Sequence, residues 1–98
     1  MQYYTRAIQL DDTRSEYFLN RAHVLQKLDQ YKNSLLDAEK AISLNPQDPK
    51  TFLRKGIACF HLGEYKDARE AFEQSSKIGG ITLVFFFLLL NINQIDLF

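Results

Sequence analysis

Three polar side chains in this sequence have the types and the spacing needed to hold a carboxylate group. Lys50 and Arg54 are four residues apart, so a helix would direct both to the same face. Asn20 lies thirty-four residues before Arg54. Arginine offers a planar fork of N–H donors, lysine a mobile point charge and asparagine a neutral N–H donor. These residues can act together only in a fold that brings residue 20 beside residues 50 and 54.

Other kinds of site find little support in the sequence. It contains no Gly-rich phosphate loop, no His-Glu-x-x-His motif and no Cys-x-x-Cys pair. His23 and His61 fall on different predicted helices without a third metal ligand nearby, so we interpret them as solvated groove or helix-end residues. The single cysteine, Cys59, is expected to be a small core residue and not a reactive thiol. We therefore expect no enzymatic activity, no cofactor and no bound metal.

The elements that position the three polar residues follow from an internal repeat of thirty-four residues. Shifted by this period, the chain aligns residues of similar size, including Phe18 with Phe52, Ala22 with Gly56, Leu28 with Leu62, and Tyr31 with Tyr65. The period is typical of a helix–turn–helix unit. Because Arg54 shifts onto Asn20, stacked units would place both residues at the same register of neighbouring helices.

Helical periodicity predicts the individual elements. Apolar spacing predicts helices over Ser15–Lys27, Tyr31–Leu44, 49 to about His61, and Tyr65–Lys77. Asn45-Pro46 should end the second of these, because the residue before proline is pushed out of helical geometry. Pro49 suits the first turn of the next helix, where its missing N–H is not needed.

The repeat also predicts the organisation of the chain. Residues 1–14 are expected to contain the second helix of a truncated repeat, followed by full repeats at 15–48 and 49–80. The predicted fold is all-α, a solenoid of helical hairpins over residues 1–78 with about two and a half repeats. Residues 81–98 form a separate apolar tail.

Residue size along the repeat predicts how the helices pack. Small residues are expected where two helices of a hairpin approach closely: Ala22, Ser34, Gly56 and Ala68. Large residues are expected to fill the space between helices: Phe18, Tyr31, Phe52, Tyr65 and Phe72. The same aromatic residues could instead line a ligand site, but helical spacing favours a core.

Two sets of residues resemble the tetratricopeptide-repeat (TPR) motif: Phe18, Ala22, Tyr31, Ala41 and Pro46 in the second repeat, and Phe52, Gly56, Gly63, Tyr65, Ala68 and Phe72 in the third, where Ser75 replaces an alanine and Gly80 the proline. The resemblance covers residues 1–78 and implies an alpha-alpha superhelix that binds other proteins. Two residues of the second repeat depart from the motif, because Asp29 replaces its glycine and Ala38 its aromatic residue.

A narrower resemblance concerns the first helix of each repeat. The segments around Asn20 and Lys50–Gly56 look like those of chaperone-binding TPR domains. Such domains hold the acidic C-terminal tail of heat-shock protein 90 or 70 in a carboxylate clamp. Asn20, Lys50 and Arg54 match three of the five clamp residues, and the other two would lie on the missing first helix, which implies weak binding. Lys27 and His61, at neighbouring groove positions further along the same helices, would make the groove locally basic.

Among clamp-like families, the segment from Leu53 to Cys59 looks most like the SGT-type co-chaperones, which combine TPR, CS and SGS domains. In that family the TPR domain serves mainly for self-association or adaptor contacts. The resemblance therefore leaves two functions open. One is a co-chaperone adaptor that binds an acidic peptide, and the other is a structural module that associates with a second copy.

Charge and cysteine content limit the partners and the compartment. Twelve basic and twelve acidic residues give a formal net charge of zero, so neither a nucleic acid nor an anionic membrane is expected as partner. A single cysteine allows no internal disulfide, which favours the reducing cytoplasm or nucleus.

The composition changes abruptly after Gly80. Ile81 to Leu90 is a run of ten uncharged residues, too short to span a bilayer comfortably. Three interpretations are open: translated non-coding sequence or a splice-variant end, a flap covering the bare face of the last helix, or a weak membrane-associating end. A third function, a membrane-tethered scaffold, depends on the last of these.

Overall fold

A computed structural model of the chain describes residues 1–79, and the apolar tail discussed above lies outside the described residues. Five α-helices follow one another: α1 (Gln2–Leu10), α2 (Ser15–Lys27), α3 (Tyr31–Leu44), α4 (Pro49–His61) and α5 (Tyr65–Ile78). The prediction of an all-α chain of helical hairpins is confirmed. No helix among residues 1–79 is both long and apolar enough to cross a bilayer.

The start of α4 and the end of α3 follow from local sequence. Pro49 occupies the first turn of α4, and the Asp48 carboxylate caps the helix by accepting a hydrogen bond from the Lys50 backbone N–H at 3.0 Å. Helix α3 ends at Leu44, and Asn45 before the proline leaves helical geometry. Both helix limits were predicted from these two prolines.

Helices α2 and α4 end in the same way. Asp29 (φ +59°) and Gly63 (φ +82°) adopt left-handed backbone conformations one period apart. The N–H groups of the following residues, Gln30 and Glu64, each donate to a carbonyl five residues earlier at 2.9 Å. These bonds satisfy carbonyls that the helix end would otherwise leave unpaired. Asp29 therefore performs the task of the motif's glycine, since aspartate tolerates this conformation better than most residues.

Two apolar clusters hold the hairpins together. Phe18, Leu19 and Ala41 form one between α2 and α3, with Ile8 of α1 packed against it. Cys59, Ala68 and Phe72 form the other between α4 and α5, with Leu35 of α3 packed against it. Since each cluster draws a residue from the preceding hairpin, neighbouring units share their cores.

The small residues lie at close helix contacts, as predicted. Ala22, Ser34 and Ala68 are fully buried, and Ser34 Oγ donates to the Ala22 carbonyl at 2.9 Å. A Cβ atom at Gly56 would clash with the Phe72 ring. The second repeat has Ala22 and Ala38 at the equivalent positions, so the two hairpins fill this space with different pairs of residues.

The prediction that Tyr65 fills space between helices is wrong. The residue is 39% exposed, and its ring meets the edge of the Phe60 ring at 5.6 Å between centroids. The equivalent Tyr31 stacks against His61 of the following hairpin at 4.3 Å. No hairpin follows α5 within residues 1–79, so Tyr65 lacks the corresponding cover.

A partly buried ion pair links α2 to α3. Arg21 donates from Nε and Nη2 to the two carboxylate oxygens of Asp37, at 2.7 and 2.8 Å. The Asp37 side chain is 8% exposed, and this hydrogen bond raises the pKa of Arg21. Arg21 Nη1 also donates to Thr5 Oγ1 on α1 at 3.5 Å, so one guanidinium of α2 contacts both neighbouring helices.

The close contact between Gly56 and Phe72 predicts that substitutions at these two positions have non-additive effects on the free energy of unfolding. Gly56→Ala should lower the free energy of unfolding by about 1–3 kcal/mol, because the added methyl overpacks the ring. In a Phe72→Leu background the same methyl should cost less, since the smaller side chain leaves room for it. Urea denaturation of the two single variants and the double variant measures the coupling. Equal costs of the methyl in both backgrounds would contradict this account.

The shared turn geometry predicts an order of stabilities at residue 63. Gly63→Ala should cost about 1 kcal/mol, because alanine is strained at positive φ while nothing lies near its Cβ. Gly63→Asp should cost less, since Asp29 already adopts this conformation one repeat earlier. Thermal denaturation of the two variants side by side gives the order, and an aspartate variant less stable than the alanine variant would be the wrong result.

Candidate functional site

Arg54 lies in the middle of α4 and faces α2. Its side chain is half-buried, and burial lowers the pKa of the guanidinium, which remains charged at neutral pH. The partner is the Gln26 side chain: Arg54 Nη1 donates to Gln26 Oε1 at 3.2 Å. Within residues 1–79 no carboxylate forms an ion pair with Arg54. A half-buried cation is therefore held by a neutral amide.

Lys50 stands one turn before Arg54, in the first turn of α4. Its side chain is exposed. With a rotation of 100° per residue, Lys50, Arg54 and His61 lie within about 40° of one another around the helix axis. Lys50 and Arg54 thus share a face of α4, as the sequence predicted.

The facing side of α2 carries Asn20, His23 and Lys27, which lie within about 60° of one another around the helix axis. Burial, and then the charges of Arg54 and Lys27, lower the pKa of His23. A charge acts on an imidazole in this way only from nearby, so Lys27 of the same helix and Arg54 of α4 both lie near His23. Asn20 is exposed on the same face of α2. We call the surface that these residues form the basic groove: Asn20, His23, Lys27, Lys50 and Arg54.

The ring of His61 packs against two other rings, whereas the sequence predicted a solvated side chain. Its ring is exposed but stacks on Tyr31, with centroids 4.3 Å apart and planes 8° from parallel. It also meets the edge of the Phe60 ring at 5.7 Å. His61 therefore lies at the seam between α4 and the first residue of α3, at the far end of the face that carries Arg54.

Three residues near the groove escaped the sequence reasoning. Gln26 was not considered, although it stands one period before Phe60, and a glutamine at an apolar repeat position is a usable signal. His23 was interpreted as a solvated groove or helix-end residue, and its proximity to Arg54 was not considered. Glu16 occupies the register of Lys50 and places a negative charge at the α2 end of the groove, where Arg14 forms an ion pair with it at 3.3 Å.

Cys59 is a core residue, as predicted. It is 1% exposed, and burial raises its pKa to about 11. The thiol is thus protonated at neutral pH and packed against Ala68 and Phe72. Within residues 1–79, no three His, Cys, Asp or Glu side chains are grouped closely enough to hold a metal ion.

The comparison with known families agrees with this architecture. The model of the family described as "Tetratricopeptide repeat" matches residues 15–48 and 49–78. The chain belongs to the tetratricopeptide-repeat family. Its two matched repeats contain α2 with α3 and α4 with α5.

Among curated relatives, the TPR chain is 43% identical over 70 residues to the protein SGT1 homolog of Oryza sativa subsp. japonica. The match covers 71% of this chain and 19% of the rice protein. The chain thus spans about a fifth of the length of that relative. The resemblance to SGT-type co-chaperones is confirmed at this level.

Two similar solved structures contain bound peptides. The second TPR of Spaghetti (RPAP3), bound to the HSP90 peptide SRMEEVD, is 32% identical with a TM-score of 0.75, covering 76% of this chain and 69% of that one. The second TPR domain of human RPAP3, in complex with the HSP70 peptide SGPTIEEVD, is 27% identical with a TM-score of 0.83. That match covers 95% of this chain and 75% of the human chain.

The position of His23 predicts how stability depends on pH. Its folded-state pKa lies below the ordinary value of 6.5, so the unfolded chain binds more protons as the pH falls through that value. His23 should therefore favour the folded state above pH 6.5 and lose this contribution on acidification. Urea denaturation at pH 7.5, 6.5 and 5.5 should show a smaller loss of stability for His23→Gln than for the wild type.

His61→Gln serves as the control for this experiment, because it removes the other imidazole of the chain at a position outside the Arg54 contact. We expect its pH profile to follow the wild type more closely than His23→Gln does. A His23→Gln variant that loses as much stability as the wild type between pH 7.5 and 5.5 would refute the electrostatic role given to His23.

Proposed function

We propose that this TPR chain is a non-catalytic co-chaperone adaptor whose basic groove binds the acidic C-terminal peptide of heat-shock protein 90 or 70. The observation that carries the proposal is Arg54, a half-buried guanidinium without a carboxylate partner in residues 1–79. A peptide carboxylate would supply the missing negative charge. A reducing compartment, cytoplasm or nucleus, is part of the proposal and accords with the protonated core thiol of Cys59.

The ligand chemistry comes from the two peptide complexes. Both peptides end in Glu-Glu-Val-Asp, which places several carboxylates within a short segment. In this chain we assign the carboxylate fork to Arg54, a second positive charge to Lys50 and a neutral N–H donor to Asn20. We assign acidic residues that precede the peptide's end to Lys27 of the groove and to His61, beyond it on the α4 face.

The expected contributions to the binding free energy favour Arg54 over Lys50 as the principal contact of the peptide. Exposed ion pairs contribute about 0–1 kcal/mol, so Lys50 alone adds little. A hydrogen-bonded pair with a partly desolvated arginine contributes more, about 1.5–3 kcal/mol. The groove should therefore depend on Arg54 first and on Lys50 second.

The proposal predicts how charge removal changes peptide binding. Arg54→Ala should weaken binding of a peptide ending in Glu-Glu-Val-Asp by about tenfold or more, and Lys50→Ala by a few-fold. Fluorescence anisotropy with a labelled peptide measures both affinities. Raising the salt concentration should also weaken binding, because it screens the exposed charges.

Lys40→Ala is the matched control, since it removes an exposed positive charge from α3, outside the groove. A peptide with an amidated C-terminus tests whether the groove binds the terminal carboxylate. If the wild type and Arg54→Ala bind the peptide with equal affinity, the proposed function is wrong. If sedimentation then showed concentration-dependent association that the groove variants leave unchanged, the self-association function would be favoured instead.

A further inference from the structure

Gln26 is a buried polar side chain at a position that the repeat reserves for an apolar one. It lies in the last turn of α2, is 8% exposed and faces α4. The equivalent residue one period later is Phe60. Burying an amide is costly unless its donors and acceptors are paired, so the contacts of Gln26 need an explanation.

Both ends of the Gln26 amide contact the same residue. Nε2 donates to the backbone carbonyl of Arg54 at 2.8 Å, while Oε1 accepts from Arg54 Nη1 at 3.2 Å. The opposite amide orientation would set an NH₂ group against the guanidinium and oxygen against oxygen, so only one orientation satisfies both contacts. A single side chain thus fixes the position of the Arg54 backbone and the direction of its guanidinium.

The edge of Arg54 that Gln26 leaves uncovered is the one suited to a carboxylate. Gln26 contacts Nη1, and the Nε–Nη2 edge is not part of this contact. In Arg21 it is the Nε–Nη2 edge that binds both oxygens of Asp37, at 2.7 and 2.8 Å. The two arginines therefore differ at this edge. In Arg21 it binds the carboxylate of Asp37, whereas in Arg54 it takes no part in the contact with Gln26.

We propose that Gln26 is the positioning residue of the basic groove, holding the Arg54 guanidinium so that its Nε–Nη2 edge meets a peptide carboxylate. This inference rests on the peptide-binding function proposed above. A neutral amide can orient the guanidinium without neutralising it, which a glutamate at this position could not do. Holding the long side chain in place beforehand reduces the entropy lost on binding.

Gln26→Met tests the proposal, because methionine keeps the length of the side chain and removes both hydrogen bonds. Binding of a labelled peptide ending in Glu-Glu-Val-Asp should weaken about tenfold. In an Arg54→Ala background the same change should have little further effect, since no guanidinium remains to be positioned. An equal loss in both backgrounds would show that Gln26 acts only through general stability and would overturn the proposal.

Ser34→Ala is the matched control. It removes another buried hydrogen bond between a side chain and a carbonyl, Ser34 Oγ to Ala22, which does not involve Arg54. Its thermal stability should fall while its peptide affinity stays near that of the wild type. If peptide affinity falls in proportion to thermal stability in both Ser34→Ala and Gln26→Met, Gln26 does not act as a positioning residue.

Gln26→Glu decides the case should Gln26→Met fail to fold, because it keeps the shape of the side chain. Its carboxylate would pair with Arg54 and compete with the peptide, so binding should weaken more than tenfold at neutral pH. Wild-type affinity in this variant would overturn the proposal. If the wild type binds no peptide, the proposed function itself fails. Wild-type binding that depends on Arg54 but not on Gln26 refutes only the present inference.

Discussion

Stacking of α4 beside α2 is the constraint on which the groove depends. Side chains that are twenty-eight positions apart in the chain, Gln26 and Arg54, meet because two hairpins repeat the same geometry in register. Small residues at the helix contacts set the relative position of the helices. Each apolar cluster also contacts a side chain of the preceding repeat, which aligns neighbouring repeats. A shift of either hairpin would separate Arg54 from the face of α2 that carries Asn20 and His23.

Arg21 and Arg54 illustrate how the same type of side chain serves structure or binding. Arg21 is paired with Asp37 through both edge nitrogens and links α1, α2 and α3. Its charge is already matched, so it offers little to a ligand. Arg54 keeps an unmatched charge and a neutral partner. The choice of partner, carboxylate or amide, thus separates a stabilising contact from the proposed binding contact.

Much of the fold could be predicted from the sequence, because it depends on local signals. Apolar spacing predicted the limits of α2 and α3, the prolines gave the α3–α4 boundary, and the repeat predicted which small residues are buried. The exposure of Tyr65 could not be predicted from its own repeat, since burial at that position depends on a following hairpin. The stacking of His61 on Tyr31 likewise depends on side-chain geometry between helices.

The candidate site was predicted only in part, for a physical reason. Periodicity places Asn20, Lys50 and Arg54 on facing helices, but it does not say which side chain holds Arg54. The repeat marks Gln26 as unusual, because Phe60 occupies the same position one period later, but it does not show what Gln26 contacts. Its role depends on a contact between helices that only coordinates provide.

The most direct measurement of the central claim is an NMR titration that follows side-chain signals of the groove. On adding a peptide ending in Glu-Glu-Val-Asp, the Arg54 Nε–H and the amide groups of Asn20 and Gln26 should shift together. A peptide with an amidated C-terminus should shift them less. Shifts confined to α1, α3 or α5, with the Arg54 signal unmoved, would contradict the account.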